Sequence, residues 1–166
     1  MDINVAYLNA TLENLIYMQK PPGYYEDKTK HVLLLKKCLY GLKQSGREWY
    51  KCLSRALFNM GFKKSSTDTT VFYWHDKNNF AIIGAAVDDP TITAPNEEII
   101  LGVKWDLEWV FKMKDLGEIH WLLNLKSDRD KIGGTINIFK KHISTIYLLN
   151  SISKKQSHIQ VHWILT

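Results

Sequence analysis

Two adjacent acidic residues, Asp88 and Asp89, are the clearest candidates for chemistry in this chain, because they directly follow an apolar run at residues 80–87. Charge beside an apolar strand is costly to bury unless a cation or a hydrogen-bond network compensates it. Adjacent carboxylates on a sharp turn, joined by a third from another segment, can hold two Mg²⁺ ions about 3.5–4 Å apart for phosphoryl transfer. The residues alone also allow an ordinary turn of two solvated acids.

Periodic apolar residues predict two helices around these acids. The first is predicted to begin at Ser45, with Glu48 completing a capping box, and to end at Gly61. Its apolar positions recur at helical spacing, which indicates one buried face. The second is predicted over residues 97–111, with Asn96 as its N-cap.

Runs of β-branched, aromatic and apolar residues predict the strands. Residues 70–74 and 80–87 are typical of a hairpin, and residues 90–94 of a short third strand, so the two acids fall at a tight turn. Further strands are predicted at residues 119–126 and 135–139, followed by a short helix at 141–150. This order predicts an α+β fold, an antiparallel sheet with helices packed on one face.

Composition narrows the class of protein. The chain has 166 residues, of which 45% are hydrophobic and 23% charged, with a net charge of +5, so it can bury a core. Cys38 and Cys52 lack ligand spacing, which argues against a disulfide framework or a zinc site. The longest apolar run is too short to span a membrane and no leader precedes it, so we expect a soluble, unsecreted protein without a membrane partner.

Five segments, in this order and spacing, closely resemble the reverse transcriptase of copia-type LTR retrotransposons. They are DINVAYLNA at 2–10, IYMQKPPGY at 16–24, LYGLKQS at 39–45 with WY at 49–50, VDD at 87–89 and MKDLG at 113–117. The resemblance covers residues 1–150, a partial reverse transcriptase domain, and leaves 151–166 as a divergent tail. It implies a palm fold and RNA-directed DNA polymerase chemistry with two Mg²⁺ ions, or Mn²⁺, acting on dNTPs and a primer on an RNA or DNA template.

The resemblance also assigns roles to single residues. It implies that Asp2, Asp88 and Asp89 are the catalytic, metal-binding carboxylates. It implies nucleotide binding by Ile3, Asn4, Val5, Ala6, Tyr7, Tyr40 and Gly41, with Tyr7 as the steric gate against a ribose 2′-hydroxyl and the backbone N–H groups of residues 3–6 facing the triphosphate. It implies contact with template or primer by Lys43, Gln44, Ser45, Ala86 and Val87, and a primer-gripping hairpin at residues 122–125.

Several positions depart from the family pattern. Asp2 follows Met1 directly, so we expect this chain to lack the strand and most of the fingers that precede this position in the family, and we expect the carboxylate to lack a ladder. Ala86 replaces a family aromatic residue, and Pro90 stands where the family has an aliphatic residue, so we expect a displaced turn. We therefore predict that the isolated chain does not extend a primer.

The complete element would add integrase and RNase H to the same polyprotein, in cytoplasmic virus-like particles and the nucleus. Two alternatives stay open for this chain: a nucleic-acid-binding module without catalysis, and a decayed remnant without activity. The aromatic, basic pattern of an RNA-recognition motif does not occur, which weakens the first alternative. Titration with Mn²⁺ separates it from a polymerase, because only the polymerase should bind the ion through Asp88 and Asp89.

Overall fold

The computed structural model describes residues 1–23, 32–123, 125–130 and 132–140, with the backbone alone at 140 and 159–162. The chain divides into two compact units, Met1–Leu116 and Gly117–Thr166. The helix predicted at 141–150, Asn124 and all of the tail except 159–162 lie outside the described residues.

The first unit combines two helices with short antiparallel strands. Its strands are β1 (Asp2–Ile3), β2 (Thr11–Gln19), β3 (Val32–Lys37), β4 (Lys63–Lys64), β5 (Val71–Asp76), β6 (Asn79–Gly84), β7 (Thr91–Thr93) and β8 (Met113–Lys114). Its helices are α1 (Ser45–Asn59) and α2 (Glu97–Val110), and a single 3₁₀ turn covers Ala6–Asn9.

The predicted mixture of helices and antiparallel strands is confirmed, but the strands of this unit do not form one continuous sheet. They pair as β1 with β8, β2 with β3, and β4-β5-β6-β7 in that order, all antiparallel. Isolated hydrogen bonds, and no ladder, join the start of the chain to the segment after β6: the Ile3 amide donates to the Asp88 carbonyl at 2.7 Å, and the Met1 amino group donates to the Pro90 carbonyl at 3.2 Å. The first unit therefore consists of small antiparallel sheets that share one core.

Helix α1 forms as its periodicity predicts, but the capping box is wrong. The Ser45 hydroxyl donates to the Leu39 carbonyl at 2.6 Å, and the Glu48 carboxylate pairs with Lys51 at 3.0 Å. Both side chains therefore serve neighbouring contacts and leave the helix N-terminus without a side-chain cap. The C-terminus follows the prediction: Gly61 has φ +88°, and the next amide donates to the Leu57 carbonyl, as in a Schellman motif.

Helix α2 is capped as predicted, since the Asn96 side chain accepts a hydrogen bond from the Ile99 amide at 3.0 Å. Val103 and Leu107 on its inner face are buried in the core. The opposite face leaves apolar side chains exposed. These are Leu101, Trp105 and Trp109.

The core of the first unit lies between α1 and the β5–β6 hairpin. Phe72 and Ile83 are paired across the hairpin and have no solvent-exposed surface, and Leu57 of α1 is equally buried. Full burial of one such side chain stabilises a fold by roughly 1.5–3 kcal/mol. This core provides the rigid base from which the segments after β6 and before α1 emerge.

The second unit is a meander of β9 (Trp121–Leu122), β10 (Leu125–Asp130), β11 (Thr135–Lys140) and β12 (Ile159–His162), paired in that order. The prediction of one strand over 119–126 is wrong, because Leu123 adopts φ +48° and Leu122 pairs with Leu125 in an antiparallel ladder. A hairpin therefore stands where the resemblance implies one. No helix in the described part of the chain is both long and apolar enough to cross a membrane.

Candidate active site

The two adjacent acids lie on a tight turn, as predicted. The amide of Asp89 donates to the Ala86 carbonyl at 2.7 Å, and Val87 adopts φ +41°. A β-branched residue rarely occupies this left-handed region, which indicates a turn held by its surroundings. Pro90 is buried and directly precedes β7, a position at a strand start that its missing N–H permits.

Asp2 is anchored beside this turn, so the expectation that it lacks a ladder is wrong. It pairs with Lys114 in the β1–β8 ladder, and the next amide, that of Ile3, donates to the Asp88 carbonyl at 2.7 Å. The Asn4 amide donates to the Lys112 carbonyl at 2.9 Å. The partners that anchor this segment thus lie more than 80 residues away in the sequence. The amides of Ile3 and Asn4 are engaged within the protein and do not face a triphosphate.

An open cleft of about 500 Å³ brings Asp2 and Asp88 together. Two cationic side chains, Lys37 and Lys112, share its wall. The complete lining is Asp2, Ile3, Asn4, Val5, Leu8, Asn9, Lys37, Asp88 and Lys112. A cleft lined by two acidic and two basic residues is suited to an anionic ligand accompanied by a divalent cation.

The two oxygens of the Asp88 carboxylate have different environments. Oδ2 accepts a hydrogen bond from the Tyr40 hydroxyl at 2.7 Å. Oδ1 is buried and has no hydrogen-bond partner among the described residues. A buried, unpaired carboxylate oxygen is unfavourable in a native protein and calls for an explanation. It is also the type of ligand that Mg²⁺ and Mn²⁺ prefer, so the residues present fit a divalent cation.

Tyr40 and Tyr7 form an aromatic pair beside Asp88, with ring centroids 4.4 Å apart and planes tilted by 50°. The hydrogen bond to Asp88 raises the pKa of Tyr40 to about 12, with burial as the second cause. The phenol is therefore neutral throughout the physiological range and acts as a hydrogen-bond donor. Both predicted nucleotide-binding tyrosines thus lie next to a predicted metal ligand.

Not all of the residues predicted for the site line the cleft. Asp89 is exposed on the turn, and no three His, Cys, Asp or Glu side chains within the described ranges are gathered closely enough to hold a metal ion. The structure thus brings two of the three acids to one cleft. Gly41 has φ +91°, in the loop that carries Tyr40, and Lys43 is exposed.

Ser45, predicted to contact template or primer, is buried in this structure. It has no exposed surface, and its hydroxyl donates to the Leu39 carbonyl. In this position the side chain orders the loop before α1. Gln44 and Ala86 are partly exposed, and Val87 is 50% exposed, so these three positions remain accessible.

Three residues at the site were missed by sequence reasoning. Lys37 is part of a basic pair that carries no sign of its location, and Lys112 directly precedes the segment 113–117 without being part of it. Trp49 is buried as its helical position predicts, yet its indole N–H also donates to the Val87 carbonyl at 2.8 Å. No local pattern could have revealed that contact, because the partners are 38 residues apart.

Comparison of the sequence with known proteins identifies the family to which the chain is similar. A family model described as "Reverse transcriptase (RNA-dependent DNA polymerase)" matches residues 1–159. The Retrovirus-related Pol polyprotein from transposon RE1 of Arabidopsis thaliana is 34% identical over 134 residues, 80% of this chain and 9% of that protein. The corresponding polyprotein from transposon TNT 1-94 of Nicotiana tabacum is 35% identical over 79% of this chain and 10% of its own length.

A shorter relative, a putative transposon Ty5-1 protein of Saccharomyces cerevisiae, is 30% identical over 80% of this chain and 44% of its own length. The chain thus spans about a tenth of the two plant polyproteins and less than half of the yeast protein. No solved structure matches it. With a family model covering nearly its whole length, the chain belongs to the reverse transcriptase (RNA-dependent DNA polymerase) family, in its copia-type retrotransposon branch.

Proposed function

We propose that Met1–Leu116 forms the palm of an RNA-directed DNA polymerase and binds a divalent cation together with a dNTP. The observation that carries this proposal is the buried, unpaired Oδ1 of Asp88, a residue that lines the same cleft as Asp2. A second, independent support is that these two acids belong to the segments by which the chain resembles its family. The proposed ligands are Asp2 and Asp88, with Asp89 joining them when the cation binds.

The cleft's cations suit the polyphosphate of a nucleotide. Lys37 and Lys112 line the same cleft as Asp2 and Asp88, so an incoming triphosphate would meet cationic residues there. Two Mg²⁺ ions, when bound, would activate a primer 3′-hydroxyl and stabilise the pyrophosphate leaving group. The protein's own contribution is to orient the nucleotide and to balance its charge.

Tyr7 and Tyr40 would define the sugar side of the site. Their paired rings form a wall beside Asp88. In this position an aromatic ring excludes the additional volume of a 2′-hydroxyl and selects deoxyribonucleotides. The exposed Lys43 and Val87 would contact template and primer, and the substrates of the complete polyprotein would be a primed RNA or DNA strand and dNTPs. Its integrase and RNase H would be the partners encoded alongside.

The decisive experiment measures Mn²⁺ binding by electron paramagnetic resonance in the wild type, Asp88→Asn and Asp106→Asn. Asp106 is an exposed acid on α2 and provides a control of equal charge change. We expect Asp88→Asn to weaken Mn²⁺ binding at least about tenfold and Asp106→Asn to leave it unchanged. Equal Mn²⁺ binding by all three proteins would overturn the proposal and favour a nucleic-acid-binding module without catalysis.

Nucleotide selection provides a second test. With Mn²⁺ and a primed RNA template present, the wild type should bind dTTP more tightly than UTP, and Tyr7→Ala should reduce this preference. Tyr17→Ala, an exposed tyrosine on β2, is the matched control. An unchanged preference in Tyr7→Ala would remove Tyr7 from the proposed gate.

A further inference from the structure

We propose that Trp49 is a positioning residue for the Asp88–Asp89 turn, acting through the Val87 carbonyl. This inference rests on the proposed function of the turn. Trp49 is 2% exposed, and its Nε1 lies 2.8 Å from the Val87 oxygen. An indole N–H can only donate, and when buried it needs an acceptor. Here the acceptor is the peptide directly before the proposed metal ligand.

The backbone of the turn explains why a holding contact is needed. Val87 adopts φ +41°, which a β-branched residue takes only when its surroundings impose it. Its own side chain is 50% exposed, so packing of that side chain does little to impose the conformation. The hydrogen bond from Trp49 fixes the peptide that follows Val87, and the Ile3 amide fixes the Asp88 carbonyl at 2.7 Å. The Val87 and Asp88 carbonyls are therefore both fixed by hydrogen bonds, while Asp88 lines the cleft and Asp89 is exposed.

Trp49 also links this turn to the segment that carries Asp2. Its ring meets that of Phe111 edge to face, with centroids 5.2 Å apart and planes at 72°. Phe111 ends α2 and precedes Lys112, whose carbonyl accepts the Asn4 amide. One buried aromatic pair thus borders both polypeptide segments that bring acids to the cleft. Because the hydrogen bond to Val87, and not the ring contact, reaches the turn itself, its loss should alter the position of Asp88 relative to Asp2.

The test removes the N–H and keeps the ring. Trp49 is replaced by β-(3-benzothienyl)alanine, which preserves the bicyclic shape with sulfur in place of N–H, and separately by Phe. Phe111→Leu is the control, because it disturbs the same ring contact and leaves the hydrogen bond. All variants are the full 166-residue chain, and two readouts are taken: hydrogen exchange of the Asp89 amide without metal, and Mn²⁺ affinity.

We expect both Trp49 variants to exchange the Asp89 amide faster and to bind Mn²⁺ about five- to tenfold more weakly, the fold-change of one lost neutral hydrogen bond. Phe111→Leu should lower thermal stability and leave both quantities within about twofold of the wild type. Wild-type exchange and Mn²⁺ affinity in the benzothienyl variant would overturn the inference, and so would equal changes in Phe111→Leu.

Failure of the proposed function has a different signature. In that case Mn²⁺ binding by the wild type would not depend on Asp88, while amide exchange would still report whether Trp49 holds the turn. Accelerated exchange of Asp89 in the benzothienyl variant, without any Asp88-dependent Mn²⁺ binding, would refute the positioning role for a metal ligand. The two results therefore separate the turn's structure from its chemistry.

Discussion

Substitution of Tyr40 by Phe tests whether the hydrogen bond from Tyr40 lowers the affinity of the Asp88 carboxylate for a divalent cation. The Tyr40 hydroxyl donates to Asp88 Oδ2 at 2.7 Å, and Phe removes this donor while keeping the ring that contacts Tyr7. The phenol and a bound cation both interact favourably with the negative charge of the Asp88 carboxylate, so the hydrogen bond competes with cation binding. Its loss should therefore strengthen metal binding even as it weakens the metal-free fold.

The magnitude follows from the exposure of the pair. A hydrogen bond to a charged group contributes about 1.5–3 kcal/mol when shielded from water. Tyr40 is 53% exposed, so solvent screening lowers this to about 0.5–1 kcal/mol. The wild type loses this free energy when a cation displaces the phenol, whereas Tyr40→Phe has no hydrogen bond to lose. The Mn²⁺ affinity of Tyr40→Phe should therefore be about two- to fivefold higher.

The assay is a Mn²⁺ titration by electron paramagnetic resonance at pH 7, with urea unfolding of the metal-free proteins in parallel. Tyr17→Phe is the control, since Tyr17 is an exposed tyrosine on β2. We expect Tyr40→Phe to bind Mn²⁺ about two- to fivefold more tightly and to unfold with about 0.5–1 kcal/mol less free energy. Weaker Mn²⁺ binding by Tyr40→Phe would refute the reasoning, because the phenol would then assist the site.

The pH dependence of the same contact has a definite sign. The pKa of Tyr40 is raised to about 12, above its ordinary value of 10.0, so folding favours the protonated phenol. Its stabilising contribution is complete below about pH 10 and is lost as the pH rises through 12. The difference in unfolding free energy between wild type and Tyr40→Phe should be constant from pH 7 to 9 and shrink above pH 10. Growth of the difference with pH would contradict the assignment.

Two further predictions concern the fold around the site. Gly102→Ala in α2, where an added Cβ meets nothing within 4 Å, should raise the free energy of unfolding, measured in urea, by about 0.5–1 kcal/mol. Gly84→Ala should lower the free energy of unfolding, because its Cβ would lie 2.8 Å from the Thr91 hydroxyl oxygen. Burial raises the pKa of both the Cys38 and Cys52 thiols, so alkylation at pH 8 should be slower in the folded protein than in urea and should accelerate as the pH rises above 9. Equal stability of the glycine variants, or equal alkylation rates folded and unfolded, would contradict these predictions.

The parts of the fold that sequence reasoning could predict are those governed by local patterns. The apolar spacing of α1 and the Gly61 stop depend on residues within a few positions of each other, and so does the Asn96 cap. The β5–β6 hairpin is likewise local, since its strands are joined by a two-residue turn. The residues that form these interactions are close together in the sequence, so a short segment is enough to predict them.

The missed features depend on partners distant in the sequence. Ser45 has the right type for a cap, but its hydroxyl reaches the Leu39 carbonyl, and only the path of the preceding loop determines this. Asp2 looked unsupported because its ladder partner is Lys114. Lys37 and Lys112 reach one cleft through the tertiary fold, and nothing in their neighbouring residues distinguishes them from solvated lysines.

The central claim is that Asp2 and Asp88 hold one divalent cation between them. The most direct measurement is paramagnetic broadening of backbone amide signals in the full chain on addition of substoichiometric Mn²⁺. The account predicts that the amides of Ile3 and Asp89 broaden together and first, while that of Trp105, on the outer face of α2, stays sharp. Broadening at neither segment, or broadening that persists unchanged in Asp2→Asn or in Asp88→Asn, would contradict it.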